Sequence, residues 1–240
     1  MRIRTPVIAA IGLALVACSA LGCGMWEIVR GNGTILLESR DVASFTGIEL
    51  EGSGLVRFSP GAKREVTVES DENILPYLET EVRNGILVLS TRPGTSINPT
   101  LLVYRITAPD LASVDIEGSG DFRFETPLET DRLAIAIDGS GSFDGEITVD
   151  DLDIRISGSG DAALAGSARN AQLEIDGSGD IEAADLACVD ARVVIEGSGS
   201  AKLRASGVLD VVIRGSGNVF YRGDPKVLLS ITGSGSVRRY

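Results

Sequence analysis

The stretch from Leu173 to Ala183, LEIDGSGDIEA, decides the fold of this 240-residue chain. Apolar residues occupy every second position on both sides of a Gly-Ser-Gly motif, and this period of two is typical of a β-strand with one buried face. The alternation keeps its phase through the motif. The pattern therefore predicts that both glycines point inward and that the serine points outward.

The same motif occurs eight times, and its last seven copies recur at a nearly constant spacing. From Gly118 onward the intervals are 21, 19, 19, 20, 18 and 18 residues. A unit of about 19 residues, with one strand pair and a tight corner, is long enough for one coil of a parallel β-helix. We therefore predict an all-β fold, a parallel β-solenoid that is right-handed by the rule for parallel strand connections. The copies begin at Gly52, Gly118, Gly139, Gly158, Gly177, Gly197, Gly215 and Gly233.

Glycine suits a stacked inward corner because it has no Cβ, so that it adopts bends closed to other residues and lets one backbone pass close to the next. The motif is thus predicted to be structural. A phosphate-binding loop is not favoured, since no helix is predicted after any copy. The glycines assigned to the corners are Gly118, Gly120, Gly139, Gly141, Gly158, Gly160, Gly177, Gly179, Gly197, Gly199, Gly215, Gly217, Gly233 and Gly235.

The region before the regular coils has a different pattern, because 66 residues separate the first motif from the second. Strands are expected around Phe45–Phe58 and Val66–Val68, and Asn84-Gly85 is the dipeptide preferred in tight hairpins. We predict an antiparallel cap or first β layer over residues 31–110, regular coils over residues 111–240, and one continuous domain over both. At the far end, the basic tail Arg238–Tyr240 is expected to discourage end-to-end pairing.

The N-terminus predicts export. Arg2 and Arg4 precede a short apolar run, so that residues 1–17 resemble a secretory signal peptide. The sequence Leu15-Val16-Ala17-Cys18 resembles the lipobox of bacterial lipoproteins, which makes Cys18 the expected lipid anchor and residues 18–30 a tether. Cys23 is a poorer match. The expected location is an outer membrane, the periplasm or the cell surface; a cleaved, freely secreted protein and an uncleaved anchor helix are the alternatives.

Composition excludes several classes of function. The chain has no histidine, so Ser-His triads, His-ligated zinc and His general bases are absent. Its formal net charge is -12, which opposes binding to nucleic acid. Cys188 is the sole cysteine of the repeat region and is expected to be a buried thiol. We expect no cofactor and no metal.

A series of motifs resembles a known family. It consists of Arg40, Phe45-Thr46-Gly47-Ile48, Gly52-Ser53-Gly54, Val66-Thr67-Val68, Asp71-Glu72-Asn73 and Asn84-Gly85-Ile86-Leu87, followed by serial Gly-Ser-Gly strands. In this order they are similar to the putative autotransporter adhesin, head GIN domain family, over residues 31–240. The resemblance implies an exported bacterial β-helical domain, often on a lipoprotein, with an adhesin role by analogy; it implies no catalytic residues.

Stacked coils would align the polar residues around each motif in columns. Like charges one coil apart repel unless they are solvated or bridged by a cation, which raises a calcium-binding hypothesis. However, Ca²⁺ takes six to eight oxygen ligands and this face offers few per coil. The candidate binding surface is Glu117, Ser119, Asp121, Asp138, Ser140, Asp161, Asp176, Ser178, Asp180, Glu196 and Ser198.

The sequence therefore predicts a non-catalytic adhesion or binding module on a cell surface, with an unknown glycan or protein ligand and membrane contact through the lipid anchor only. A structural surface protein without a specific ligand is the alternative. A polysaccharide-acting β-helix enzyme is a more distant one, for which Asp150, Asp151 and Asp153 form the nearest carboxylate cluster.

Overall fold

The computed structural model describes residues 27–240, which form twenty strands and one 3-10 turn, Leu75–Tyr77. The predicted signal peptide, Cys18, Cys23 and most of the predicted tether lie outside the described residues. The strands are β1 Glu27–Arg30, β2 Ile35–Arg40, β3 Gly47–Gly52, β4 Leu55–Pro60, β5 Glu65–Asp71, β6 Leu78–Arg83, β7 Ile86–Thr91, β8 Thr95–Asn98, β9 Leu102–Ala108, β10 Ser113–Gly118, β11 Asp121–Phe124, β12 Leu128–Gly139, β13 Ser142–Gly158, β14 Asp161–Gly177, β15 Asp180–Gly197, β16 Ser200–Ala205, β17 Val208–Gly215, β18 Asn218–Arg222, β19 Lys226–Gly233 and β20 Ser236–Arg239.

The repeat coils stack in parallel and in register, which confirms the predicted β-solenoid. The first glycines of successive motifs pair directly, as in Gly139 with Gly158 and Gly158 with Gly177. In the central coils a single strand, such as β13 or β14, covers the whole interval between two motifs. The interval from Gly177 to Gly197 is 20 residues, one more than the interval before it. The extra residue is accommodated by a shift in the register of β14 with β15, between Ala163 and Ala165 of β14.

Alternate residues of each coil point into a continuous hydrophobic core. Ile137, Ile156 and Ile175 lie one above the other, two positions before their motifs, and each is almost fully buried. Among the described residues this core is a single cluster, which extends from Val29 to Val237. Segment 27–240 therefore has a continuous hydrophobic core of its own, which is what an independently folding domain needs.

The Gly-Ser-Gly corner differs from the expectation in one respect. As predicted, the serine is exposed and the second glycine is buried in nearly every copy. The first glycine, however, is at least partly exposed, so its predicted inward position is wrong. From Gly118 onward the first glycines have φ between 115° and 137°, a region that favours glycine. The chain turns at this residue, while the alternation of less and more exposed positions keeps its phase through the motif.

Backbone stacking explains the first glycine. The carbonyl oxygen of Gly158 accepts a hydrogen bond from the Ser178 N–H at 2.8 Å. That same oxygen lies 2.2 Å from the place where a Cβ on Gly177 would be. The hydrogen bond and the Cβ therefore compete for one space, and equivalent contacts recur at every later coil.

An isoleucine methyl group explains the second glycine. A Cβ on Gly179 would lie 2.1 Å from the Gly160 carbonyl oxygen and 2.8 Å from the Ile156 Cγ2. The β-branched methyl of each coil thus occupies the space left by the missing side chain in the next coil. Such packing at close to crystal density leaves little room for an added methyl group.

The N-terminal part adds further layers to the solenoid. The first motif stacks directly under the second, since Gly52 pairs with Gly118. Strands β7 and β9 continue the parallel stack beneath β3 and β4, and β6, β5 and β2 then add antiparallel strands. Asn84 and Gly85 form the tight hairpin that was predicted, both with positive φ.

The motif Asp71-Glu72-Asn73 ties this N-terminal part together. The buried Asp71 carboxylate accepts hydrogen bonds from the N–H groups of Gly33 and Thr100, both at 2.7 Å. Burial opposes its ionisation, but these donors lower the pKa of Asp71 below its ordinary value. The Asn73 amide donates to the Arg30 carbonyl at 2.7 Å. Two separate loops are thereby held against the end of β5.

A matched pair of glycine substitutions tests the stacking contact. Gly177→Ala is expected to lower the free energy of unfolding by about 3 kcal/mol, because the new methyl group meets a carbonyl oxygen as well as the strain of a positive φ. Gly52 also has a positive φ, but a Cβ there meets no atom within 4 Å. Gly52→Ala should therefore lower it by only about 1–2 kcal/mol. Thermal and urea denaturation of segment 27–240 measure both values, and equal losses would refute the stacking explanation.

Candidate functional site

The serines of the repeats form a single column along one edge of the solenoid, here called the serine edge. Their side chains are exposed, and none of their hydroxyl groups hydrogen-bonds to another residue within 27–240. Coils repeat at about 4.8 Å, so the edge presents a regular row of hydroxyl groups. The serines are Ser119, Ser140, Ser159, Ser178, Ser198, Ser216 and Ser234.

The residues that directly precede the motifs form an exposed column. They lie on the solvent-facing side of the strands that end at the motifs, and this surface is here called the outer face. Register pairs join Glu117 to Asp138, and Asp176 to Glu196. Ser157 lies between the two acidic pairs. Arg214 follows Glu196 in the column and forms an ion pair with it. The column is therefore acidic through its N-terminal and central parts and is neutralised toward its C-terminal end.

The residues after the motifs form a second column, whose carboxylates serve the stack itself. Asp161 accepts a hydrogen bond from the Asp180 N–H at 3.1 Å, and Asp180 accepts one from the Ser200 N–H at 2.8 Å. Asp121 accepts a hydrogen bond from the Ser142 hydroxyl at 2.5 Å. These three carboxylates consequently stabilise the start of the next coil, and this use by itself accounts for their position.

Several carboxylates lie close together at the N-terminal end of the outer face, and this group of Glu49, Asp115, Glu117 and Asp138 is here called the carboxylate concentration. Burial raises the pKa of Asp115 above its ordinary value, and the neighbouring Asp138 raises it further. Burial also raises the pKa of Glu49, and Glu117 and further carboxylates add to the effect. The folded chain therefore concentrates negative charge on this surface at neutral pH, at the expense of stability.

Within residues 27–240 no group of three or more His, Cys, Asp or Glu side chains is placed to hold a metal ion. The calcium hypothesis therefore has no preformed site in this part of the chain. Asp150 instead pairs with Arg169 at 3.1 Å, and Asp151 accepts a hydrogen bond from the Asn170 amide at 2.9 Å. The carboxylates of Asp150 and Asp151 thus have separate partners on the neighbouring coil.

Two shallow grooves lie on the outer face, and sequence reasoning missed them. The first, about 300 Å³ in volume, is lined by Arg132, Asp151, Asn170, Gln172 and Arg192 among others. The second, about 330 Å³, extends toward the N-terminal end and shares Asp153 with the first. The polar lining residues of the first groove lie five and seven positions before the motifs, and those of the second groove lie three and five positions before them. Polar residues recurring at these positions were the available signal.

These grooves cross several coils. The first is lined by residues from Arg132 to Val208 and the second by residues from Ile48 to Arg155, so together they follow most of the outer face. The second groove is lined by apolar side chains such as Ile48 and Ile86 and by charged ones such as Asp115. Guanidinium, amide and carboxylate groups recur along the first groove. Such groups supply both donors and acceptors at fixed spacing, which suits a ligand that carries many polar groups.

The family model described as "Putative auto-transporter adhesin, head GIN domain" matches residues 44–225, which include both grooves and most of the serine edge. The chain belongs to this family. For this GIN-domain protein the family indicates a surface binding module that is exported or located at the cell surface. No helix in the part of the chain that the structure describes is long and apolar enough to cross a membrane.

Solved structures agree with the family. A putative adhesin from Bacteroides fragilis NCTC 9343 is 27% identical, with a TM-score of 0.85 over 88% of this chain and 100% of its own. A putative adhesin from Parabacteroides merdae ATCC 43184 is 25% identical, with a TM-score of 0.72 over 89% and 99%. A putative lipid binding protein from Parabacteroides distasonis ATCC 8503 is 26% identical, with a TM-score of 0.75 over 89% and 100%. No curated protein matches the chain.

The charge on the outer face generates a prediction. Asp115→Asn is expected to stabilise the GIN-domain protein at pH 7 by about 0.5 kcal/mol, because it relieves like-charge repulsion between neighbouring strands. Since the folded pKa of Asp115 is raised, the wild type gains stability as pH falls through that pKa and loses it as pH rises. The advantage of the variant should therefore shrink between pH 7 and pH 4.

Thermal denaturation across this pH range measures the effect. Asp131→Asn is the control, because it removes the same charge from an exposed position outside the carboxylate concentration. An equal gain in both variants would mean that net charge is responsible, and it would contradict a local effect at Asp115.

Proposed function

We propose that this GIN-domain protein is a non-catalytic binding module that attaches a bacterial surface to a glycan or a protein. The observation that carries the proposal is the first groove, whose polar lining extends along the outer face from Arg132 to Arg192 and so crosses several coils. A structural rod without a ligand does not require such a groove. The candidate binding surface is the outer face together with the serine edge beside it.

Charge narrows the class of ligand. Between residues 111 and 204, Asp and Glu outnumber Lys and Arg by 20 to 7. A surface of this sign repels nucleic acid and other polyanions and favours neutral or cationic partners. Neutral glycans and basic protein segments meet this requirement.

The repeated geometry supports attachment through many weak contacts. Ser140, Ser159 and Ser178 present equivalent hydroxyl groups on three successive coils, since their flanking residues pair in register. A ligand with its own repeat could engage several positions at once, and linked contacts raise overall affinity far above that of one contact. Individual substitutions should consequently have small effects, whereas combined ones should have large effects.

The test uses segment 27–240 on glycan arrays and in cell-attachment assays. A triple variant, Ser140→Ala with Ser159→Ala and Ser178→Ala, is expected to reduce binding at least tenfold while leaving stability within about 0.5 kcal/mol, because the hydroxyls are exposed. A second variant, Arg132→Ala with Gln172→Ala, removes groove side chains and should reduce binding similarly.

The matched control is Ser39→Ala with Ser44→Ala and Ser96→Ala, which removes three exposed serines outside the repeat motifs. Binding lost in the control but kept in both test variants would overturn the assigned surface. Absence of any binding, to all glycans and cells tested, would favour the structural surface protein instead.

We also propose that Cys18 carries the lipid anchor, with cleavage after Ala17 and residues 18–30 as the tether. Cys18→Ser is expected to abolish the lipid-dependent mass increase of the mature protein and to shift the protein from the membrane fraction to the soluble fraction. Cys23→Ser is the control and should leave both unchanged. Mass spectrometry and membrane fractionation give the two readouts; a lipid retained in the Cys18 variant would contradict the assignment.

A further inference from the structure

The strands that follow the motifs have their own solvent-facing side, here called the second face. Residues three positions after each motif are exposed or partly exposed there, and they pair in register from coil to coil. A boundary of charge crosses this column between Glu182 and Lys202. In chain order the column is Arg57, Arg123, Asp144, Ala163, Glu182, Lys202, Phe220 and Arg238.

A notch of about 500 Å³ lies on the acidic side of this boundary. Its floor includes Ala163 and Ala165, whose short side chains lie between carboxylates of the two neighbouring coils. The register shift of β14 with β15 falls at the same place. The notch therefore suits an apolar side chain that has positive charge beside it. The carboxylates that line it are Glu125, Asp144, Glu146, Glu182 and Asp185.

The basic side of the boundary has the matching features. Phe220 is a partly exposed aromatic side chain that pairs in register with Lys202. Arg204 and Arg222 also pair in register, and neither has a carboxylate partner among residues 27–240. Like charges on adjacent strands are unfavourable. This basic patch would therefore be stabilised by contact with an acidic surface.

A twofold axis parallel to the strands brings the two sides of the boundary together. If the axis passes between the coil of Glu182 and the coil of Lys202, Glu182 of one copy faces Lys202 of the other copy. Ala163 then faces Phe220, because each is one coil farther from the axis. The two rods run antiparallel, and every contact occurs twice.

Opposite charges alternate around this axis. The Glu182 carboxylate already pairs with the Lys202 ammonium group of its own chain at 2.5 Å. In the dimer the two Glu182 and the two Lys202 side chains form a ring of alternating sign. A network of charges contributes more than an isolated exposed pair, so the ring favours this register over its alternatives.

No like charges meet in this arrangement. In the column directly after the motifs, Asp180 faces Ser200 and Asp161 faces Asn218. A parallel pair of rods would instead set Glu182 against Glu182. A basic peptide would match the acidic side alone, whereas a second copy matches both sides at once. The second face therefore selects another copy of this chain.

We propose that two copies of the protein form an antiparallel dimer through the second face, with Phe220 of each copy in the notch above Ala163 of the other. Six coils at about 4.8 Å and five residues at about 3.3 Å give a face of roughly 29 by 16 Å. This area is small for a specific interface, so the dimer is weak and reversible.

The dimer leaves the outer face of both copies uncovered. It therefore presents two candidate binding surfaces, and linked surfaces bind a repetitive ligand more tightly than one surface does. This consequence rests on the proposed function, whereas the dimer itself does not.

Sedimentation velocity of segment 27–240 between about 1 µM and 1 mM, the range of weak to moderate dissociation constants, tests the dimer. The wild type is expected to pass from monomer to dimer. Raising salt from about 0.1 M to 1 M shortens the screening length from about 10 Å to about 3 Å and should weaken dimerisation.

A charge exchange tests the contact at the axis. Glu182→Lys and Lys202→Glu each set like charges against one another and should each weaken dimerisation by about tenfold or more. An equimolar mixture of the two variants should dimerise as the wild type does, because every pair across the axis is again opposite in sign. Misfolding would not be rescued by mixing. Asp131→Lys, exposed away from the second face, is the control and should dimerise normally.

Filling the notch tests its fit to Phe220. Ala163→Phe should weaken dimerisation by about tenfold or more, since like-sized overpacking is not relieved in a filled site. It should not lower Tm, because Ala163 is exposed. Ala134→Phe places the same ring at an exposed position of the outer face and should leave dimerisation unchanged.

Cross-linking tests the register. Packed sheets lie about 10 Å apart, too far for a disulfide, so a short bifunctional thiol reagent is used. Asp161→Cys mixed with Asn218→Cys should cross-link, whereas either variant alone should not, since its two thiol-bearing positions would be about 17 Å apart. Burial raises the pKa of the Cys188 thiol to about 11, so that this native cysteine stays unreactive.

Three results would overturn the proposal: a monomer at every concentration in low salt, no rescue when the two charge variants are mixed, or cross-linking of Asp161→Cys alone as efficient as that of the mixture. The groove variant Arg132→Ala with Gln172→Ala should dimerise normally. Failure of the dimer and failure of the proposed function are therefore observed separately.

Discussion

The close approach of stacked backbones at the Gly-Ser-Gly corner is the constraint on which the rest of the structure depends. One glycine carbonyl oxygen accepts the serine N–H of the next coil and occupies the space where a Cβ would lie, 2.2 Å away at Gly177. The neighbouring isoleucine methyl fills the space beside the second glycine. Because every coil must satisfy both contacts, the register cannot slip without losing a hydrogen bond and creating a clash.

This fixed register determines what the surface can display. Outward residues of one coil lie directly over those of the next, so that a polar pattern in the repeat becomes a set of straight columns. Some columns are used internally, as where Asp161 and Asp180 accept backbone N–H groups from the following coil. The hydroxyl groups of the serine edge have no such partner among the described residues, whereas groove residues such as Asp151 and Asn170 pair with each other on the exposed surface. The like charges near Asp115 oppose stability at neutral pH.

The two ends of the solenoid solve the problem of open β-edges differently. At the N-terminal end, antiparallel strands and the buried Asp71 carboxylate close the stack with hydrogen bonds to Gly33 and Thr100. In the last described coil, β20 carries Arg238 and Arg239, whereas β19 has no charge after Lys226. Charged side chains of this kind discourage further strand pairing at an edge.

The sequence by itself determined the solenoid, the coil length, the exposed serines and the alignment of residues such as Glu117 with Asp138, because even spacing and period-two alternation leave one register in which every coil buries its apolar side. The Asn84-Gly85 hairpin was equally readable, since its backbone conformation is local. Only the tertiary structure decided which glycine turns the chain, how residues 61–110 fit beside two stacked motifs and where the grooves lie. Each of these depends on contacts between residues far apart in the chain: the position of Gly177 depends on the Gly158 carbonyl oxygen, and the first groove on residues of several coils, such as Arg132 and Arg192. Periodicity describes one coil and its repeat, whereas bends and grooves arise from how neighbouring coils meet.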